Sequence, residues 1–218
     1  FDPASFTPPL DPDRDNVFHF TTITIPADIH VKLRTGPLRA APVYWLASGD
    51  VEIAGIVDLN GEAGQAAGTD TERYLSVPGP GGWPGGPGGW LSTEQDAERG
   101  FGPGAKKGHP NNSFRPGTGS YYEYTNVFLQ PLLGGSGGGG CVATTDGNYG
   151  KGGGAGAGAI LIASSSSISL SGQIQAKGGG GYTSSYGGGS GGGIRLLAPV
   201  VTGDGSFDTD EGSTHADD

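Results

Sequence analysis

Residues 159–178 read AILIASSSSISLSGQIQAKG, and residues 42–61 read PVYWLASGDVEIAGIVDLNG. Both run in the same order: apolar strand, turn, alternating strand, glycine, alternating strand, glycine. Setting Gly172 on Gly55 aligns Ile168 with Val51, Leu170 with Ile53, Ile174 with Val57 and Ala176 with Leu59, with one extra residue assigned to the serine turn at 164–167. Alternation every second residue sends one set of side chains inward and the other to solvent. Three short strands in a unit of about 20 residues are what one coil of a parallel β-helix requires. A single coil cannot bury its inward face, whereas stacked coils share a continuous core.

Two further segments extend the pattern. Residues 193–212 (GIRLLAPVVTGDGSFDTDEG) place Gly205 where Gly55 stands, Phe207 where Val57 stands and Thr209 where Leu59 stands. Residues 17–33 (VFHFTTITIPADIHVKL) form a partial unit of two strands around a corner at Pro26, Ala27 and Asp28. The corner glycines are expected to supply a positive φ for a sharp bend. The fold class expected is all-β, a short β-solenoid with long glycine-rich loop insertions. A β-sandwich is the competing arrangement, but its hairpin-linked strands recur every 8–12 residues or so, and the long glycine gaps fit loops between coils better.

The units VYWLASGDVEIAGIVDLNGEAG and GAILIASSSSISLSGQIQAKGGGG resemble glycine-rich, β-helix-like exported and cell-surface proteins of bacteria, over roughly residues 17–61 and 134–210. The resemblance implies a right-handed parallel β-helix outside the cell and carries no catalytic set. The last unit departs from it, with Glu211 where Gly61 and Gly178 stand, and reads as a terminal cap.

Between the units lies an excursion over about 62–158, with glycine tracts at 79–89, 100–104, 134–140 and 150–159, and a shorter one at 178–193. Glycine supplies 46 and proline 16 of the 218 residues, a level that without a period signals low complexity. Collagen is excluded, since glycine does not occupy every third position. Aromatic residues interrupt the tracts, among them Trp83, Trp90 and Tyr182, so the tracts are read as ordered. Two arrangements stay open: bundled polyproline-II-like glycine helices, whose backbone groups must be satisfied by neighbouring runs, or irregular docked loops.

Residues 1–16 form an extended proline-rich arm, and residues 17–218 a single β-solenoid domain. Phe1, Phe6 and Leu10 are apolar anchors with which the arm packs on its own body or on a neighbouring copy. Asp11, Asp13 and Asp15 alternate like the start of a calcium loop, and calcium is the only cofactor the sequence raises. Asn16 replaces the turn glycine and Thr22 stands in place of the bidentate glutamate. Asp50, Glu52 and Asp58 are the carboxylates that a β-helix enzyme would use, but their counterparts one unit on are serine or glutamine, so paired acid–base chemistry is not expected.

The net charge of −10 disfavours nucleic acid. No apolar run of about 18 residues is present to span a membrane. The chain begins at Phe1 and contains no methionine, from which removal of a signal peptide and an extracellular or cell-surface location are expected. The function expected is that of a non-enzymatic structural protein that self-associates, as a subunit of a filament or cell-surface layer, through its solenoid ends and arm. An adhesin or glycan-binding module using Trp83, Trp90 and the loop tyrosines is the alternative, and a polysaccharide-active enzyme the lesser one.

Overall fold

The computed structural model describes residues 1–38, 40–66, 73–89, 97–105, 128–142, 150–182 and 187–213. Among the described residues twelve strands group into three parallel sheets. The first contains β1 (Val17–Phe20), β4 (Val43–Ala47), β7 (Ala159–Ser164) and β10 (Gly193–Leu197) in that order. The second contains β2 (Ile23–Ile25), β5 (Val51–Ile53), β8 (Ser167–Leu170) and β11 (Val200–Thr202), and the third β3 (His30–Lys32), β6 (Ile56–Asp58), β9 (Gln173–Gln175) and β12 (Ser206–Asp208). Each tier of three consecutive strands lies on the tier before it, an all-β, solenoid-like arrangement. Residues 17–33 form a complete tier, because Thr21 and Thr22 break the first alternating stretch into β1 and β2.

The registers follow the repeat. Val51 faces Ile168, which faces Val201, and Val57 faces Ile174, which faces Phe207. The offset is the same at Val43 with Ile160, Val51 with Ile168 and Val57 with Ile174. No extra residue therefore sits in the serine turn of the third tier. Phe18, Trp45, Ile162 and Leu196 form one inward stack, and Phe18, Val43, Val51, Ile53, Val57, Ile160, Ile168 and Ile174 are shut off from solvent. Each such side chain contributes about 1.5–3 kcal/mol by leaving water.

The corner glycines correct the expectation of a positive φ. Among the described glycines that conformation belongs to Gly81, Gly102 and Gly203. The requirement at the corner is close approach: a Cβ on Gly55 would lie 2.2 Å from the Ile29 carbonyl oxygen, and one on Gly172 2.0 Å from that of Gly55.

The excursion leaves after β6 and returns into β7, which pairs directly with β4. It is a bundle of extended runs held by backbone hydrogen bonds. Along the run 150–158, the amides of Gly152, Ala155 and Gly158 donate to Gln65, Glu62 and Leu59. Those of Gly153, Gly156 and Ala159 donate to Gly86, Trp83 and Pro80, and those of Gly154 and Ala157 to Gly187 and Ser190. Every third residue thus addresses the same neighbour, as in a helix of three residues per turn with no internal hydrogen bonds. The carbonyls of Lys151, Gly154 and Ala157 accept from Cys141, Gly138 and Gly135, and that of Ala155 accepts from Gly179. Of the two arrangements left open by the sequence, the structure shows the glycine-helix bundle.

Three runs prolong the third sheet: 59–65 bonds to 175–180, which bonds to 208–210. The bundle and the tiers are therefore one hydrogen-bonded body. Its spacing leaves no room for side chains at many positions, since a Cβ on Gly154 would lie 1.8 Å from the Gly179 carbonyl oxygen. Gly36, by contrast, has nothing within 4 Å of the same position. Gly154→Ala should cost roughly 3 kcal/mol and lower Tm by about 6–12 °C. Gly36→Ala should leave Tm nearly unchanged, and thermal unfolding followed by circular dichroism checks both.

Candidate assembly interface

The two ends of the tier stack are built differently. At the first tier the arm folds back on the chain's own core. The Phe1 ammonium donates to the Lys32 carbonyl at 2.8 Å, and the Phe1 ring meets Phe18 edge-on at 5.5 Å and Trp45 at 6.3 Å. The Leu10 amide donates to Pro3, and Leu10 packs on the same cluster. Of the two placements the sequence allowed, the arm takes its own body. Phe6 touches Phe1 and remains 46% exposed.

This cover is partial. Phe20, Ile23 and Val31 point inward yet are only partly buried. With Phe1, Ile25 and Trp45 they line an apolar hollow of about 250 Å³. Among the described residues Trp45 Nε1 is buried without a hydrogen-bond partner, its ring set edge-on against Phe20 at 6.4 Å.

Among the described residues no arm covers the last tier. Val201 and Phe207 occupy inward positions by register, yet they are 50% and 54% exposed. No further strand lies beyond β10, β11 and β12 among the described residues. Such an end presents both apolar side chains and unpaired backbone edges. Glu211, which departs from the glycines of the other units, is itself exposed, and the described residues end at Ser213.

The outward faces carry polar rows. Lys32 Nζ lies 3.0 Å from both carboxylate oxygens of the buried Asp58, and His30 Nε2 lies 3.1 Å from Oδ2. The Asn60 amide donates to Asp58 Oδ1, and its side chain bridges Gln175 and the Lys177 amide. Asp50 accepts from Ser166 Oγ at 2.6 Å and Ser167 Oγ at 2.8 Å. Glu52 stands in a row with Thr24 and Ser169. Asp50 and Asp58 thus tie tiers together, and Asp58 stands in register with Lys32 and Gln175 rather than with a second carboxylate.

The structure does not gather the calcium candidate. Asp11 accepts from the Asp15 and Asn16 amides and Asp15 from Val17, so these carboxylates cap the turn that leads into β1. Among the described residues no three His, Cys, Asp or Glu side chains converge as metal ligands. Trp83 is half-buried in the bundle, where its backbone bonds Gly135 and Gly156, and Trp90 lies outside the described residues. Cys141 is buried and in no disulfide. Sequence reasoning missed the apolar hollow, which arises because the arm covers only part of the first tier.

Comparison with protein-family models, curated proteins and solved structures finds no match to this chain. The likeness to exported glycine-rich β-helix proteins therefore stands on the repeat units alone.

The serine hydroxyls hold the Asp50 carboxyl below the ordinary aspartate range, Ser166 most strongly and Ser167 next. Its contribution to stability is present above the unfolded pKa of about 4 and is lost as pH falls through the lower folded value. Asp50→Asn should flatten the part of the Tm profile that declines below about pH 4, with little change at neutral pH. Melting curves across that range test this, and an unaltered acid limb would exclude the coupling.

Proposed function

We propose that the chain is a right-handed parallel β-solenoid of four coils. Its role is structural and extracellular: it joins its own copies as a subunit of a filament or cell-surface layer, without an enzymatic step. The observation that carries this reading is the difference between the ends. One end offers Val201 and Phe207 uncovered, and the other keeps the hollow lined by Phe20, Ile23, Val31 and Trp45. An apolar projection and an apolar hollow at opposite ends of one molecule make a head-to-tail contact, which does not close on itself and propagates. Seating the last tier of one copy against the first tier of the next continues the inward stacks and covers both apolar sets.

The arm takes a different part from the clip expected of it. By occupying the Phe18 and Lys32 side of the first tier it leaves the Phe20 side for the joint, which sets the docking position. The location outside the cell is supported by the likeness of the repeat units and by a negative net charge of −10, which suits a soluble exported chain.

Phe207→Asp places a charge at the centre of this joint. It should weaken association by at least ~2 kcal/mol, roughly thirtyfold, while leaving Tm unchanged. Sedimentation velocity over a dilution series, with electron microscopy of the most concentrated sample, provides the measurement. The wild-type chain should show end-to-end species that grow with concentration. A wild type that stays monomeric, or a Phe207→Asp chain that assembles equally well, overturns the reading.

A further inference from the structure

The indole of Trp45 makes a chemical demand that the fold does not meet. Trp45 is 3% exposed, and among the described residues its Nε1 has no hydrogen-bond partner. The rings that meet the indole edge-on are those of Phe20 at 6.4 Å and Phe1 at 6.3 Å, and an aromatic ring is a weak acceptor. An unsatisfied buried N–H costs the full desolvation of that group, and folded proteins rarely leave one without a reason. Head-to-tail joining does not supply the partner, because the Val201 and Phe207 side chains carry no acceptor atom.

The same residue lines the hollow of the first tier, about 250 Å³ in volume. Phe1, Phe20, Ile23 and Val31 give it apolar walls, and the exposed Thr22 and Thr24 also border it. A buried water needs about two to four polar partners, and the apolar walls around the indole offer none. The lining contains no charged side chain, and the Phe1 ammonium is engaged with the Lys32 carbonyl. An ionised group placed here would lose its hydration without gaining a partner. A hydroxyl would bring a donor along with its acceptor, and the apolar walls leave that donor unpaired. The demand is therefore for an acceptor without a donor, carried on an apolar body.

We infer that the hollow binds a compact neutral carbonyl compound, a ketone or ester, whose oxygen accepts from Trp45 Nε1 and whose apolar body lies among Phe1, Phe20, Ile23 and Val31. A cavity of about 150 Å³ takes benzene, so this hollow suits a ligand of roughly ten non-hydrogen atoms. The aromatic walls favour a ring or cage over a long chain. The site goes beyond the proposed assembly and does not depend on it, although a neighbouring copy seated on the first tier covers the same hollow.

The test titrates the full chain with acetophenone and camphor, and with ethylbenzene and camphane, their counterparts without the oxygen. Both the wild type and Phe207→Asp are used, so that occupation of the hollow by a neighbour does not mask binding. At least one carbonyl probe should bind Phe207→Asp with Kd between about 10 μM and 1 mM. Its counterpart should bind at least ~threefold more weakly. In ¹H–¹⁵N spectra the Trp45 indole signal, assigned as the one missing from Trp45→Phe, should move downfield with the carbonyl probe and not with its counterpart. Trp45→Phe, which keeps an aromatic ring and removes the donor, should bind the two within about twofold of each other. Val31→Phe, which fills the hollow, should weaken binding at least ~tenfold. The inference is overturned if neither carbonyl probe binds Phe207→Asp, whatever the wild type does in assembly. It is overturned equally if a probe binds while the Trp45 indole signal stays in place, or if Trp45→Phe keeps the full preference for the carbonyl. A wild type that stays monomeric while Phe207→Asp binds a carbonyl probe through Trp45 removes the assembly reading and leaves this one standing.

Discussion

A backbone amide buried away from water must find an acceptor, and a run of glycine offers no side chain to help. The run 150–158 meets this demand by giving successive amides to the runs at 59–65, 80–86 and 187–190 in rotation. That arrangement brings carbonyl oxygens close to the α-carbons of adjoining runs, to within 1.8 Å of where a Cβ on Gly154 or Gly156 would stand. Glycine is therefore the building material here, and the buried amides themselves act as the cohesive surface. The tiers follow the opposite rule, being held by Val, Ile, Leu and Phe stacked in register. The two regimes join without a break at Leu59 and Ala176, which directly follow β6 and β9, and at Ala159, which opens β7, all three bonded into the runs through their amides.

The tiers were legible because alternation and repetition are local properties of a chain. Setting Gly172 on Gly55 already paired Val51 with Ile168 and Val57 with Ile174, and the backbone registers are the same. The first tier was read as partial, because the break at Thr21–Thr22 carries no glycine or proline. The role of the corner glycines was read too locally. Bends suggest special dihedrals, whereas the need for glycine at position 172 comes from the carbonyl of Gly55 in the tier below.

The bundle was only half legible. Polyglycine has no hydrophobic period, and the register between its runs is set by neighbours brought together from distant parts of the chain, as with Trp83 and Gly135. The aromatic residues did signal that the tracts were ordered, but not which end they would decorate. The aspartates at 11, 13 and 15 are ambiguous for a related reason: alternate carboxylates serve a turn as well as a metal, and here Asp11 accepts from the amides of Asp15 and Asn16, and Asp15 from that of Val17. The unequal ends of the stack depend on where the arm lies, which its composition does not encode.

The threefold rotation of donors along the central run also restricts how such a chain can change length. Inserting or deleting one residue between Gly152 and Gly158 turns everything beyond it by a third of a revolution, so that each amide faces a neighbour whose carbonyls are already engaged. Three residues restore the phase. The excursion can thus grow or shrink inside the bundle only by whole turns, like a screw that seats at fixed stops, while the segments that link one run to the next carry no such arithmetic. Variation in this architecture is accordingly channelled toward the tips of the bundle and away from its axis.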